Sequence, residues 1–152
     1  MDKTLIKIAK AARKEMEAFA PEVDIMGDVE TLACYCAISS YFLRYLARQF
    51  GYHLTLVEGA AFNDDEDDSY KRVNHCWAVY RGMVIDITAT QFDVIEKVYI
   101  TPVGSPDYYV IRRSTEESFD TDGGWFEQSP LLYKNELKAR AWRLATELKI
   151  AA

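Results

Sequence analysis

The chain has 152 residues, of which 49% are apolar and 13% aromatic, and its net charge is -6. That length suits one domain, and such a composition buries a core instead of staying disordered. Lys and Arg are scattered without a basic stripe, which argues against nucleic acid as a partner, and no apolar run is long enough to span a bilayer.

Met1 to Ala20 has no continuous apolar stretch, so no secretory leader is expected. Three Cys make an odd count, and without a leader they are expected as reduced thiols in the cytoplasm, not as a disulfide framework. They must therefore serve the core or some chemistry.

From Lys3 to Phe19, Leu5, Ile8, Ala12, Met16 and Phe19 recur near helical period, and Pro21 closes this amphipathic helix. Pro21 to Asp28 reads as a connection. Thr31 to Phe50 predicts a second helix with Gly51 as its C-terminal cap. It is apolar nearly all round between Leu32 and Leu46, so it should be central and wrapped by other elements.

His53 to Phe62 reads as a strand, followed by a loop holding the acidic run Asp64 to Asp68. Val73 to Tyr80 and Met83 to Thr88 form a hairpin about Arg81-Gly82, and Glu96 to Thr101 and Tyr108 to Ser114 read as two more strands. Thr115 to Pro130 reads as a surface loop, with Trp125-Phe126 packing or marking a binding edge, and Leu131 to Leu148 as an amphipathic helix. Helices at both ends, a buried central helix and successive strands describe a single α+β domain, 1–152, with a mainly antiparallel sheet.

If Tyr80 lies opposite Met83, then Val79 faces Val84 and Trp77 faces Asp86. His75, Trp77, Asp86 and Thr88 would share one face, with His75 and Asp86 diagonal neighbours roughly 7 Å apart at Cα. A carboxylate there can fix the imidazole tautomer and stabilise its charged form, while a one-residue slip would separate the two. Upstream, Cys34 and Cys36 sit near the start of the central helix, where unpaired N–H groups and the helix dipole favour a thiolate. Cys, His and Asp together make the set needed for nucleophilic attack on an acyl group.

Cys36, followed by Gly51, a Leu-Val-Glu-Gly strand, His75-Cys76-Trp77 and the segment Asp86-Ile87-Thr88-Ala89-Thr90-Gln91-Phe92, resembles the transglutaminase-like branch of the papain-like cysteine enzymes. More narrowly it is similar to small bacterial and phage proteins that carry the same His-Cys-Trp and Asp-Ile-Thr-Ala-Thr-Gln-Phe segments. The resemblance spans about residues 30 to 100 and implies a papain-like fold without a cofactor. It also implies Cys36 as nucleophile, His75 as general base and acid, and Asp86 as the residue orienting His75.

Cys34 stays an alternative nucleophile, because with Thr31 as N-cap it would occupy the first helical turn. Cys76 points to the other face of its strand and reads as core. Six residues before Cys36, where papain-type enzymes place a Gln, stands Glu30, which cannot donate when ionised. The second oxyanion donor is thus open between Gln91 and a Tyr.

Two metal readings carry less. Asp64 to Asp68 lacks the spacing of a Ca2+ loop, and a Cys-x-Cys pair in a helix points its side chains about 200° apart, unsuited to zinc. No metal is expected. The function expected is a cysteine-dependent amide hydrolase, deamidase or acyl transferase, working through a thioester on a peptide, a protein or another amide, with Trp77 beside the substrate. The competing expectation, motivated by Glu30, is an inactive relative that binds a protein or peptide.

Overall fold

The computed structural model describes residues 1–23, 32, 35–62, 75–114 and 132–148. Glu30, Cys34, the acidic run 64–68 and Trp125-Phe126 lie outside these.

Helix α1 spans Lys3–Phe19. Its first turn is capped by Asp2, whose Oδ1 accepts from the backbone N–H of Thr4 at 2.8 Å and of Leu5 at 3.3 Å. Leu5, Ile8, Ala9, Ala12, Met16 and Phe19 are buried, the stripe expected of an amphipathic helix. Pro21 stands inside a 3-10 turn, Ala20–Glu22, that ends the helix.

Helix α2 spans Cys36–Arg48, five residues shorter at its start than the sequence pattern suggests. Leu32 adopts φ 60°, a left-handed conformation that an α-helix cannot include, so the apolar pattern overestimates the helix there. Every residue from Cys36 to Ala47 is buried, Arg44 among them, which matches a central helix wrapped by other elements. Gly51, at φ 86°, ends the helix in a Schellman arrangement. Its N–H donates to Arg48 O at 3.0 Å, and the Tyr52 N–H donates to Ala47 O at 3.1 Å.

Five antiparallel strands follow: β1 Thr55–Ala61, β2 His75–Tyr80, β3 Met83–Asp86, β4 Tyr99–Pro102 and β5 Tyr108–Ser114. Their order in the sheet is β4-β3-β2-β1-β5. Helix α3, Lys134–Glu147, closes the described chain and buries Leu137 and Ala141. The molecule is thus α+β, with helices toward both ends and an antiparallel sheet.

Period-two alternation divides the sheet into two faces. Leu56, Ala78 and Ile85 join the residues of α1, α2 and α3 in the main core, whereas Val57, Trp77, Val84 and Tyr108 form a second apolar cluster. Among the described residues no helix is long and apolar enough to cross a membrane.

Candidate active site

The hairpin between β2 and β3 sets the site. Arg81 and Gly82 have φ values of 47° and 77°, the two left-handed positions of a tight turn that matches strand twist. The register that results pairs Tyr80 with Met83, Val79 with Val84 and Ala78 with Ile85. One step further along each strand, Trp77 stands across from Asp86, and His75 becomes the diagonal neighbour of Asp86.

The two side chains meet: His75 Nε2 lies 2.6 Å from Asp86 Oδ2, and neither residue has any solvent exposure. Asp86 is saturated with donors. Its Oδ2 also accepts from the Tyr108 hydroxyl at 2.8 Å, and its Oδ1 accepts from the Thr88 N–H at 2.9 Å and the Thr88 hydroxyl at 3.3 Å. Four donors on one buried carboxylate compensate for the water it has lost.

His75 is walled by aromatic rings. Trp77 stacks on it with centroids 5.9 Å apart, and Phe92 meets it edge-on at 4.9 Å. The indole fits because residue 59 is glycine: a Cβ there would lie 2.7 Å from Trp77 Cη2 and 2.1 Å from the Tyr109 carbonyl oxygen.

Cys36 is the first residue of α2, where backbone N–H groups have no partner within the helix. Its side chain packs with Ala37 and Cys76, and it lies near enough to His75 to help raise the imidazole's pKa. Helix thiol and strand imidazole are therefore neighbours at the end of the sheet where β2 begins. Since Nε2 is engaged by Asp86, Nδ1 is the ring nitrogen left for the thiol.

Burial opposes a charge on His75, yet the Asp86 carboxylate, its hydrogen bond and the contact with Cys36 outweigh burial and hold the pKa up at about 10. Tyr108 is pushed well above the usual phenol range by burial and then by the Asp86 charge, so it stays a donor. The Cys76 thiol is pushed up by burial and next by the neighbouring Cys36 charge.

Gln91 is one of the two candidates for the second oxyanion donor. It belongs to a 3-10 turn, Ala89–Phe92, and its Nε2 lies 3.0 Å from His75 Nδ1 and 3.0 Å from the Thr88 carbonyl oxygen. The amide competes with the thiol for that nitrogen.

The turn carrying Gln91 is tied to α1 by Arg13, which is 2% exposed. Its Nη1 donates to the Ile87 carbonyl at 2.7 Å and to the Thr90 hydroxyl at 2.9 Å, and its Nε donates to Glu17 at 2.9 Å.

Cys36, His75, Asp86, Trp77 and Gln91, all singled out from sequence, are thus brought to one place, while Cys34 lies outside the described residues. Because α2 begins at Cys36, that residue holds the first-turn position that a Thr31 cap would have given to Cys34. Sequence reasoning missed Tyr108, Phe92, Gly59 and Arg13. Only Gly59 carried a local signal, a glycine inside a strand, which marks a close approach or a bulge, and the β1–β5 register does shift between Glu58 and Gly59.

Among the described residues no group of three or more His, Cys, Asp or Glu is arranged to hold a metal ion. Chemically, the arrangement can draw a proton from a thiol, hold it on a carboxylate-backed imidazole and return it to a leaving group. Comparison with family models, with curated proteins and with solved structures finds no match to this chain.

Proposed function

We propose that the chain is a cysteine-dependent enzyme of the transglutaminase-like, papain-like type, acting on an amide or related acyl group through a thioester. The observation that carries this reading is the buried His75–Asp86 pair at 2.6 Å with Cys36, at the start of a helix, against the same imidazole.

The Cys36 sulfur attacks the acyl carbon, and the carbonyl electrons move onto oxygen, where backbone N–H groups of the first helical turn can receive them. His75 gives its proton to the leaving amine as the C–N bond breaks, leaving a thioester. Water or a second amine then attacks, His75 takes the proton from it, and the C–S bond breaks. Water yields hydrolysis, or deamidation where the amine was ammonia, and a second amine yields acyl transfer. The substrate is a peptide, a protein or another amide, with Trp77 as the buried wall behind the imidazole.

An acyl donor that needs no substrate recognition tests this. With p-nitrophenyl acetate the protein should release a stoichiometric burst of p-nitrophenolate and carry an acetyl group on Cys36. Cys36→Ala should abolish both, and His75→Ala should slow them. Acetylation no greater at Cys36 than at Cys76 would exclude the proposal.

A second reading, a binding protein that has lost turnover, is favoured by the Gln91 amide on Nδ1 and by the 3% exposure of Cys36. It predicts neither a burst nor an acetyl group on Cys36.

A further inference from the structure

Cys76 plays no part in the chemistry above, yet it is the residue next to His75, and it shares a small buried cluster with Cys36 and Ala37. Both thiols are free and buried, 1% and 3% exposed, and with Ala37 they form a cluster of their own at the junction of α2 and β2. A nucleophilic thiol is also the thiol that peroxide oxidises, and a second thiol in contact with it offers a path to a disulfide before over-oxidation.

We infer that Cys76 is a resolving cysteine, and that hydrogen peroxide converts Cys36 and Cys76 into a reversible disulfide that switches the site off. The inference rests on the proposed role of Cys36 as a reactive thiolate.

The Cys36 thiolate attacks peroxide, the O–O bond breaks, and with one proton the products are the Cys36 sulfenic acid and water. The Cys76 sulfur then attacks the Cys36 sulfur, the S–O bond breaks, and the departing hydroxide leaves as water with the proton of Cys76. Peroxide is the two-electron oxidant, and an added dithiol supplies the electrons that restore both thiols.

The first step also helps the second. The Cys36 charge is one of the influences that hold the Cys76 thiol protonated, and a sulfenic acid no longer carries it. Ser40 donates to the Cys76 carbonyl oxygen at 3.2 Å, which pins the strand backbone to α2 at this point.

The test uses the full chain, reduced and freed of reductant, in two arms. In the first, the reduced protein is alkylated: preferential labelling of Cys36 supports the underlying reading, and its absence removes both that reading and this inference. In the second, the protein is treated with hydrogen peroxide, its remaining thiols are blocked, and it is digested without reductant for mass spectrometry. A peptide linked through Cys36 and Cys76, with Cys36 labelling lost and then restored by dithiothreitol, is the expected result.

Cys76→Ala and Cys76→Ser, made separately because either alone can disturb the cluster, should label normally at Cys36 when reduced. Under peroxide they should pass to the sulfinic acid, which dithiothreitol does not reverse. Sulfinic acid at Cys36 in the wild-type chain with Cys76 still free would overturn the inference while leaving the catalytic reading intact. So would a bridge formed with Cys34 instead.

Discussion

Tyr108 and His75 donate to the same oxygen: Asp86 Oδ2 receives the phenol at 2.8 Å and the imidazole at 2.6 Å. The two residues come from β5 and β2, which β1 separates. A single buried carboxylate oxygen therefore links the far edge of the sheet to the imidazole.

Tyr108→Phe removes one of the donors on a buried carboxylate while keeping the ring that packs on Trp77. A hydrogen bond to a charged group contributes about 1.5–3 kcal/mol, so the unfolding free energy from urea titration should fall by an amount in that range, with a lower midpoint. An unchanged midpoint would mean that the phenol adds nothing to holding Asp86.

Gln91→Leu removes the amide that competes with the Cys36 thiol for Nδ1. A neutral hydrogen bond contributes about 0.5–1.5 kcal/mol, so alkylation of Cys36 at neutral pH should become about two- to tenfold faster. Slower alkylation would show instead that Gln91 steadies the ring in its charged form.

The pKa of His75 is raised from 6.5 to about 10, so the native state binds this proton more tightly than the unfolded chain. The stability it contributes is fully present below its unfolded pKa of 6.5 and is lost as pH rises through about 10. Urea midpoints of the wild type should therefore decline across that window relative to His75→Gln. Parallel profiles would mean that His75 is not charged in the folded chain.

Gly59→Ala forces a methyl group to within 2.1 Å of the Tyr109 carbonyl oxygen and 2.7 Å of the Trp77 ring. Overpacking of this kind costs about 1–3 kcal/mol or more, and here the obstacle includes backbone. A lower thermal midpoint together with a shifted tryptophan emission is expected, and a wild-type midpoint would show that β1 and β5 can separate freely.

How far the sequence foretold this site depends on how local each determinant is. The hairpin was legible because Arg81-Gly82 between two alternating runs leaves one register, and that register carries the His75–Asp86 diagonal. The stripe of α1 and the buried character of α2 follow from periodicity in the same way. The start of α2 was not legible, since an apolar pattern continues through Leu32 although its φ of 60° ends any helix there.

The 3-10 turn of Ala89–Phe92 has no period to read, and with it went the contact of Gln91 with Nδ1. Tyr108 and Arg13 act on the site from 22 and 74 residues away, Tyr108 on Asp86 and Arg13 on Ile87. Only the tertiary pairing of the sheet and the packing of α1 bring such groups in, and one sequence by itself holds no trace of those pairings.

The most direct measurement is the rate at which a low concentration of iodoacetamide modifies each cysteine of the native protein between about pH 5 and 9, in the wild type and in His75→Ala. A thiolate held by the His75 imidazolium predicts preferential modification of Cys36 across this range, lost in His75→Ala. Equal, slow modification of Cys34, Cys36 and Cys76 in both proteins would contradict it.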